Sequence, residues 1–145
     1  YHILNTIAHP GIESIYQKYY SSSGNKTITS NIVEDLDLLG LAVWLGDDGS
    51  FSLRKECIYS LRGSIATLSF SDSEQEFCLA AFKKFYSGHA NIGYHSKEKN
   101  QKAIYFSGTD AIEDLLNKIT PLLPKALHYK LVPQRLHAKH HRVMI

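Results

Sequence analysis

The longest apolar run in the chain is Leu38-Leu39-Gly40-Leu41-Ala42-Val43-Trp44-Leu45. It is apolar on every side of a helical wheel, so it predicts a buried helix. Asp37 stands immediately before it as an N-cap. Gly46-Asp47-Asp48-Gly49 follows it, and Gly49 is placed to take a left-handed C′ position. Upstream, Ile12, Ile15, Tyr16, Tyr19 and Tyr20 recur at helical spacing over residues 10–20, which predicts an amphipathic helix packed on the core. Residues 21–25 are a Ser/Gly/Asn loop. Residues 31–35 read as a short helix, because Asn31 and Glu34 have capping-box spacing.

After Ser50 the period changes to two. Phe51, Leu53, Cys57, Tyr59 and Leu61 fall on one strand face, and Ser52, Arg54, Glu56, Ser60 and Arg62 on the other. Gly63 is the expected turn. Ala66, Leu68 and Phe70 then alternate with Thr67, Ser69 and Ser71 in a second strand. Ser71 and Glu74 form a capping-box pair for the next helix, with Phe77, Ala81 and Phe85 as its stripe, Cys78 and Phe82 beside it, and Gly88 as its stop. Residues 91–97 and 101–107 predict a second strand pair with a lysine-rich tip. Asp110 and Glu113 cap a last long helix, whose core stripe is Ile112, Leu115, Leu116 and Ile119 and which Pro121 ends. A short helix is expected over residues 126–131. The order is helix, two strands, helix, two strands, helix: an α+β chain with antiparallel strands, each polar on one face.

Composition sharpens this picture. The 145 residues are 43% hydrophobic and carry a formal net charge of +2, enough for one domain with a real core. The charge is unevenly placed. Asp114 is the last acidic residue, and Lys118, Lys125, Lys130, Arg135, Lys139 and Arg142 follow it. A basic terminal third suits a polyanion. Residues 132–145 also have the character of a solvated basic tail. Cys57 and Cys78 have no metal-site or redox spacing, and His137, His140 and His141 lack nearby cysteine or acidic partners. No apolar run is long enough to span a membrane and no signal peptide is visible, so an intracellular protein without membrane association is expected, in an organelle, a bacterium or a phage host. The chain opens on Tyr1 and its one methionine is Met144, which suggests an excised or processed part of a longer polypeptide.

The end of the apolar helix is the anomaly. The C-terminal end of a helix carries the negative pole of its dipole, so two adjacent carboxylates there are destabilised unless a cation relieves them. An exposed Asp-Gly turn is the plain alternative. The nine residues from Leu41 to Gly49 resemble the signature of the LAGLIDADG homing endonucleases, in the branch written LAxWxxDDG. Lys26-Thr27-Ile28, Ile32-Val33-Glu34 and Leu36 match that branch upstream. Ile104-Tyr105-Phe106 and His128-Tyr129-Lys130-Leu131 match downstream, and together the matches span about residues 12–131.

The resemblance implies an αββαββα fold, with a saddle of four antiparallel strands lying in the DNA major groove and helices on the other face. It divides the chain into residues 1–30 (helix and linker), 31–131 (the domain) and 132–145 (tail). It implies a site-specific double-strand DNA endonuclease of an intron or intein. Phosphodiester hydrolysis of this kind uses divalent cations, here Mg2+, to activate water and neutralise charge. Asp48 occupies the catalytic, metal-binding position, with Asp47 a weaker candidate. Lys130 matches a lysine near the active site, suited to stabilising phosphate charge. The polar strand faces and the tip would contact DNA through Ser52, Arg54, Glu56, Arg62, Thr67, Ser69, His95, Lys97, Lys99 and Lys102. The family site needs two motif helices and this chain has one. A homodimer or a companion half is therefore implied, with Ala42 and Gly46 as the small residues of the helix contact. An intron RNA maturase or a non-catalytic DNA-binding protein on the same scaffold are the alternative functions.

Overall fold

The computed structural model describes residues 9–53 and 60–131. Arg54, Glu56 and Cys57, expected on the first strand pair, and the basic tail at 132–145 lie outside the described residues.

Helix α1 (Pro10–Tyr19) leads through a loop to α2 (Asn31–Asp35) and then to α3 (Leu38–Asp48). Strands β1 (Gly49–Leu53) and β2 (Leu61–Ile65) follow, then α4 (Asp72–Lys83). Strands β3 (His89–Ser96) and β4 (Gln101–Ser107) precede α5 (Thr109–Ile119). Two 3-10 turns, Thr120–Leu122 and Lys125–Leu127, lead to α6 (His128–Leu131). The four strands form one antiparallel sheet in the order β1-β2-β4-β3. The αββαββα order expected of the chain is therefore present from α3 to α5.

Local chemistry starts the helices. The Asp37 carboxylate accepts from the Gly40 N–H at 2.7 Å and opens α3. Ser71 and Glu74 form a complete capping box at α4, and Glu74 also accepts from the Ile28 N–H at 2.8 Å. One carboxylate thus ties the segment before α2 to α4. Lys84 donates to the carbonyls of Val33 and Leu36, holding α2 against the same helix. Helix α5 differs from expectation: its N-cap is Gly108, at φ +125, and no side chain caps it.

The core lies between the helices and one face of the sheet. Leu41 and Leu45 of α3, Ile112, Leu115 and Ile119 of α5, and Ile65 and Ile104 of the sheet are fully buried. Each such side chain contributes about 1.5–3 kcal/mol relative to exposure. Phe106 joins Phe51, Phe82 and Tyr86 in an aromatic cluster with ring centroids 4.9–5.8 Å apart.

Several expectations need correction. Gly63 is not a turn. It sits mid-strand in β2, opposite Phe51 and Phe106, and a Cβ there would meet the Phe106 ring at 2.1 Å. The glycine makes room for a cross-strand ring, so it looks like a turn residue only in sequence. The strand expected at 66–71 is absent: β2 ends at Ile65, and residues 68–69 are a turn. Gly49 is extended, not left-handed. Its missing side chain matters because a Cβ would lie 2.3 Å from the Leu45 carbonyl oxygen. The buried stripe of α4 runs through Gln75, Cys78, Leu79 and Phe82 rather than Phe77, Ala81 and Phe85, although Ala81 is buried. Gly88 lies beyond the end of α4, which stops at Lys83. Helix α1 buries none of its residues, so it does not pack on this core.

Candidate active site and nucleic-acid interface

Helix α3 runs without a loop into β1, so its last residue stands at the edge of the sheet. The Asp48 carbonyl accepts from the Ala66 N–H at 3.0 Å, one residue past β2, and this bond fixes the end of the helix against the strands. Asp47 and Asp48 are both exposed. Among the described residues neither carboxylate has a hydrogen-bond or ion-pair partner. The two charges therefore stand unrelieved at the negative end of the α3 dipole.

Asp48 borders a cavity of about 230 Å³ whose apolar wall includes Ile28, Leu36, Trp44 and Phe70. Lys26 lines the same cavity, which brings an exposed cation to the neighbourhood of the carboxylate. In sequence Lys26 stands out only as part of the matched segment Lys26-Thr27-Ile28. Only the fold shows that the loop before α2 returns to the end of α3. Lys130 is half-buried on α6, which packs against β1, the strand continuing from Asp48. The His128 ring donates from Nε2 to the Leu123 carbonyl at 2.9 Å and anchors that short helix.

The sheet face away from the core carries two ordered rows. Ser52, Arg62, Ser107 and His89 are successive cross-strand partners, and Ser50, Ser64, Tyr105 and Asn91 form the next row. Neither row contains a carboxylate. Four strands at about 4.8 Å spacing give a face about 14 Å across, comparable with the roughly 12 Å DNA major groove. Arg62, Asn91, Tyr105 and Ser107 line a shallow cleft of about 260 Å³ on this face. At the far end of β3 a bulge sets two residues against Gln101, so His95 and Ser96 both lie beside it. Lys97 and Lys99 extend from the exposed β3–β4 turn.

Ser52, Arg62 and His95 thus occupy the face expected of them, and Lys97 and Lys99 its exposed tip. Thr67 does not. It is buried, and its hydroxyl donates to the Lys102 carbonyl at 3.5 Å. Ser69 is in the turn after β2, off both rows. Lys102 shares the parity of Ile104 and Phe106 and points to the helix side, where its ammonium meets Asp72 at 2.7 Å and lies over the Tyr94 ring. That hydrogen bond to Asp72 raises its pKa. Thr67 and Ser69 lie off the face because β2 ends at Ile65, and Lys102 because it has the helix-side parity of β4. Ser50, Ser64, Asn91, Tyr105, Ser107 and His89 share the open face with Ser52 and Arg62, although the sequence reading does not single them out. Alternation from Phe106 would have found Tyr105 and Ser107.

The contact face of α3 is corrected as well. Ala42 is fully buried in this unit's own core, and Gly46 faces Leu123, which a Cβ would meet at 3.4 Å. The open stripe is Leu39 (53% exposed), Val43 (50% exposed) and Asp47.

A family model of the LAGLIDADG DNA endonuclease family matches residues 1–113. The chain belongs to that family. Among solved structures it is similar to the homing endonuclease I-WcaI bound to its DNA recognition sequence, with a TM-score of 0.70 at 22% identity. The likeness covers 89% of this chain and 55% of that one, so the chain spans about half the length of the solved relative. No curated protein matches it in sequence. As a LAGLIDADG chain it carries one motif helix, ending in Asp47 and Asp48 beside a strand face whose two described rows hold no carboxylate. No helix among the described residues is long and apolar enough to cross a membrane.

Proposed function

We propose that this chain is one half of a site-specific DNA endonuclease that hydrolyses phosphodiester bonds with a divalent metal. The carrying observation is the position of Asp48. An unpartnered carboxylate at the end of α3 stands where two rows of neutral and basic side chains begin. The strands bind: Arg62, Asn91, Tyr105 and His95 offer donors and acceptors to base edges, while Lys97 and Lys99 approach phosphates.

The residues present fit a hard divalent cation in part. Asp48 offers the oxygen ligand that Mg2+ prefers. Among the described residues no three His, Cys, Asp or Glu side chains gather into a metal group. One unit therefore supplies one carboxylate, and a second motif helix, packed along Leu39, Val43 and Asp47, supplies the other. A bound cation there would contribute Lewis-acid activation of water and neutralisation of phosphate charge. Lys26 and Lys130 are suited to hold the phosphate and to stabilise the charge that develops on it.

The test is cleavage of a plasmid library carrying randomised inserts by the assembled enzyme, with and without Mg2+. The expected result is cutting at one recurrent site, dependent on Mg2+ and lost in Asp48→Asn. Binding without cutting at any metal concentration, in wild type and variant alike, would contradict it.

A further inference from the structure

Gln75 of α4 buries a side-chain amide in the core. It is 2% exposed and lies on the buried stripe with Cys78 and Leu79. Its Nε2 donates to the carbonyls of Thr67 at 3.1 Å, Phe70 at 3.2 Å and Lys102 at 3.5 Å. These three carbonyls fix the orientation of the amide, because the reversed amide would set oxygen against oxygen. Among the described residues its Oε1 has no hydrogen-bond partner. A buried acceptor left unpaired costs stability. The use of the side chain therefore lies in the carbonyls that it gathers.

Those carbonyls belong to two segments. Thr67 and Phe70 bound the turn after β2, where the Phe70 N–H also donates to the Thr67 carbonyl at 3.1 Å. Lys102 lies on β4, and the Thr67 hydroxyl reaches the same Lys102 carbonyl. The turn is thus tied to β4 twice. It begins one residue after Ala66. In the β1–β2 register Gly49 faces Ile65, and the bond from the Ala66 N–H to the Asp48 carbonyl continues that ladder by one step. The ladder ends at Asp48 on one strand, and the Gln75 tie begins at the next residue of the other. Phe70, at the far end of the tied turn, walls the cavity that Asp48 borders. The Asp48 carboxylate itself has no side-chain partner among the described residues, so its position is set through its backbone.

We propose that Gln75 is a positioning residue for phosphodiester cleavage. By tying the Thr67–Phe70 turn to β4 it holds Ala66 in place, and Ala66 holds the backbone that carries the Asp48 carboxylate. Gln75 is buried on the helix side of the sheet, so it acts through Asp48 and not on the DNA. The inference rests on the reading of Asp48 as the catalytic carboxylate and adds to it the residue that sets its place.

The experiment compares Gln75→Met, which nearly conserves volume and removes the donor, with Leu79→Ala. The second change leaves a cavity on the same face of α4 and touches no bond to the turn. In the assembled enzyme with Mg2+, Gln75→Met is expected to lower kcat by about 10- to 100-fold, the scale of loss for a misplaced catalytic group. The KM for target DNA should stay unchanged, because both strand rows are intact. Leu79→Ala is expected to lower the melting temperature and to leave kcat at the wild-type level. In the chain alone, the Ala66 amide should lose protection from hydrogen exchange in Gln75→Met, while the Ile112 and Leu115 amides keep theirs. Thr67→Val removes only the hydroxyl tie to Lys102. It should move kcat and Ala66 exchange in the same direction by less, and it carries the test if Gln75→Met does not fold. A kcat equal to wild type in the folded variant would overturn the proposal. So would equal kcat losses in Gln75→Met and Leu79→Ala, which would make the amide a support of the fold alone. Retained cutting by Asp48→Asn is a different failure: it would overturn the reading of the site itself, and this inference with it.

Discussion

At the scale of single residues, Asp48 combines exposure, an unfavourable helix dipole and a backbone clamp to Ala66. Asp48→Asn keeps the shape and removes the charge. Cleavage by the assembled enzyme should fall by about 10²–10³-fold or more, with specific binding retained, as gel shift and cleavage on one target would show. Asp47→Asn should be milder, and the reverse order would reassign the catalytic carboxylate. Lys26→Met is expected to lower cleavage without changing the melting temperature, because the ammonium is exposed beside the Asp48 cavity and supports no packing. Glu74 is a different kind of residue. Its bonds to the Ile28 N–H, and then to Ser71, hold its pKa below the ordinary value. The stability it contributes is present above the usual glutamate range, about 4.3, and is lost as the pH falls through its lowered folded value. In urea melts from pH 7 to pH 3, Glu74→Gln should flatten that part of the stability profile. An unchanged slope would remove Glu74 as the link between α4 and the segment before α2.

At the scale of elements, the sheet depends on parity and on one cross-strand fit. Phe106 occupies the space over Gly63, so Gly63→Ala should cost about 1–3 kcal/mol by overpacking, measured by denaturant titration. A stability equal to wild type would show that the ring can move aside. Parity also separates Arg62 from Lys102. Arg62→Ala should cost about 1–3 kcal/mol of target binding and relax preference at one base pair. Lys102→Ala should leave binding near wild type, since its ammonium is held by Asp72 behind the sheet. Equal losses for the two variants would mean that the open face does not meet DNA.

At the scale of the whole molecule, the Leu39–Val43 stripe of α3 stands open among the described residues. Val43→Asp should abolish cleavage by the assembled enzyme while sparing the fold of the unit, because Val43 is half exposed and the buried side of α3 is formed by Leu41, Ala42 and Leu45. Sedimentation and circular dichroism on the same sample would separate loss of assembly from loss of fold.

Much of this was legible in the chain itself. The Asp37 cap, the apolar run and the Asp47-Asp48-Gly49 ending are local signals, and they placed α3 and the candidate carboxylates. The Ser71–Glu74 box and the 101–107 alternation were equally local, and the matched segments in order gave the αββαββα architecture and the family. What tertiary structure alone decided was which side each residue faces. Gly63 is explained by a ring on another strand, Thr67 and Lys102 by a strand end and a sheet parity, and Lys26 by a loop returning to α3. Ala42 and Gly46 face this unit's own core. Helix α1 has an apolar side like α5, yet none of its residues is buried among the described residues. Periodicity states that a side of an element is apolar; what covers that side depends on residues distant in sequence.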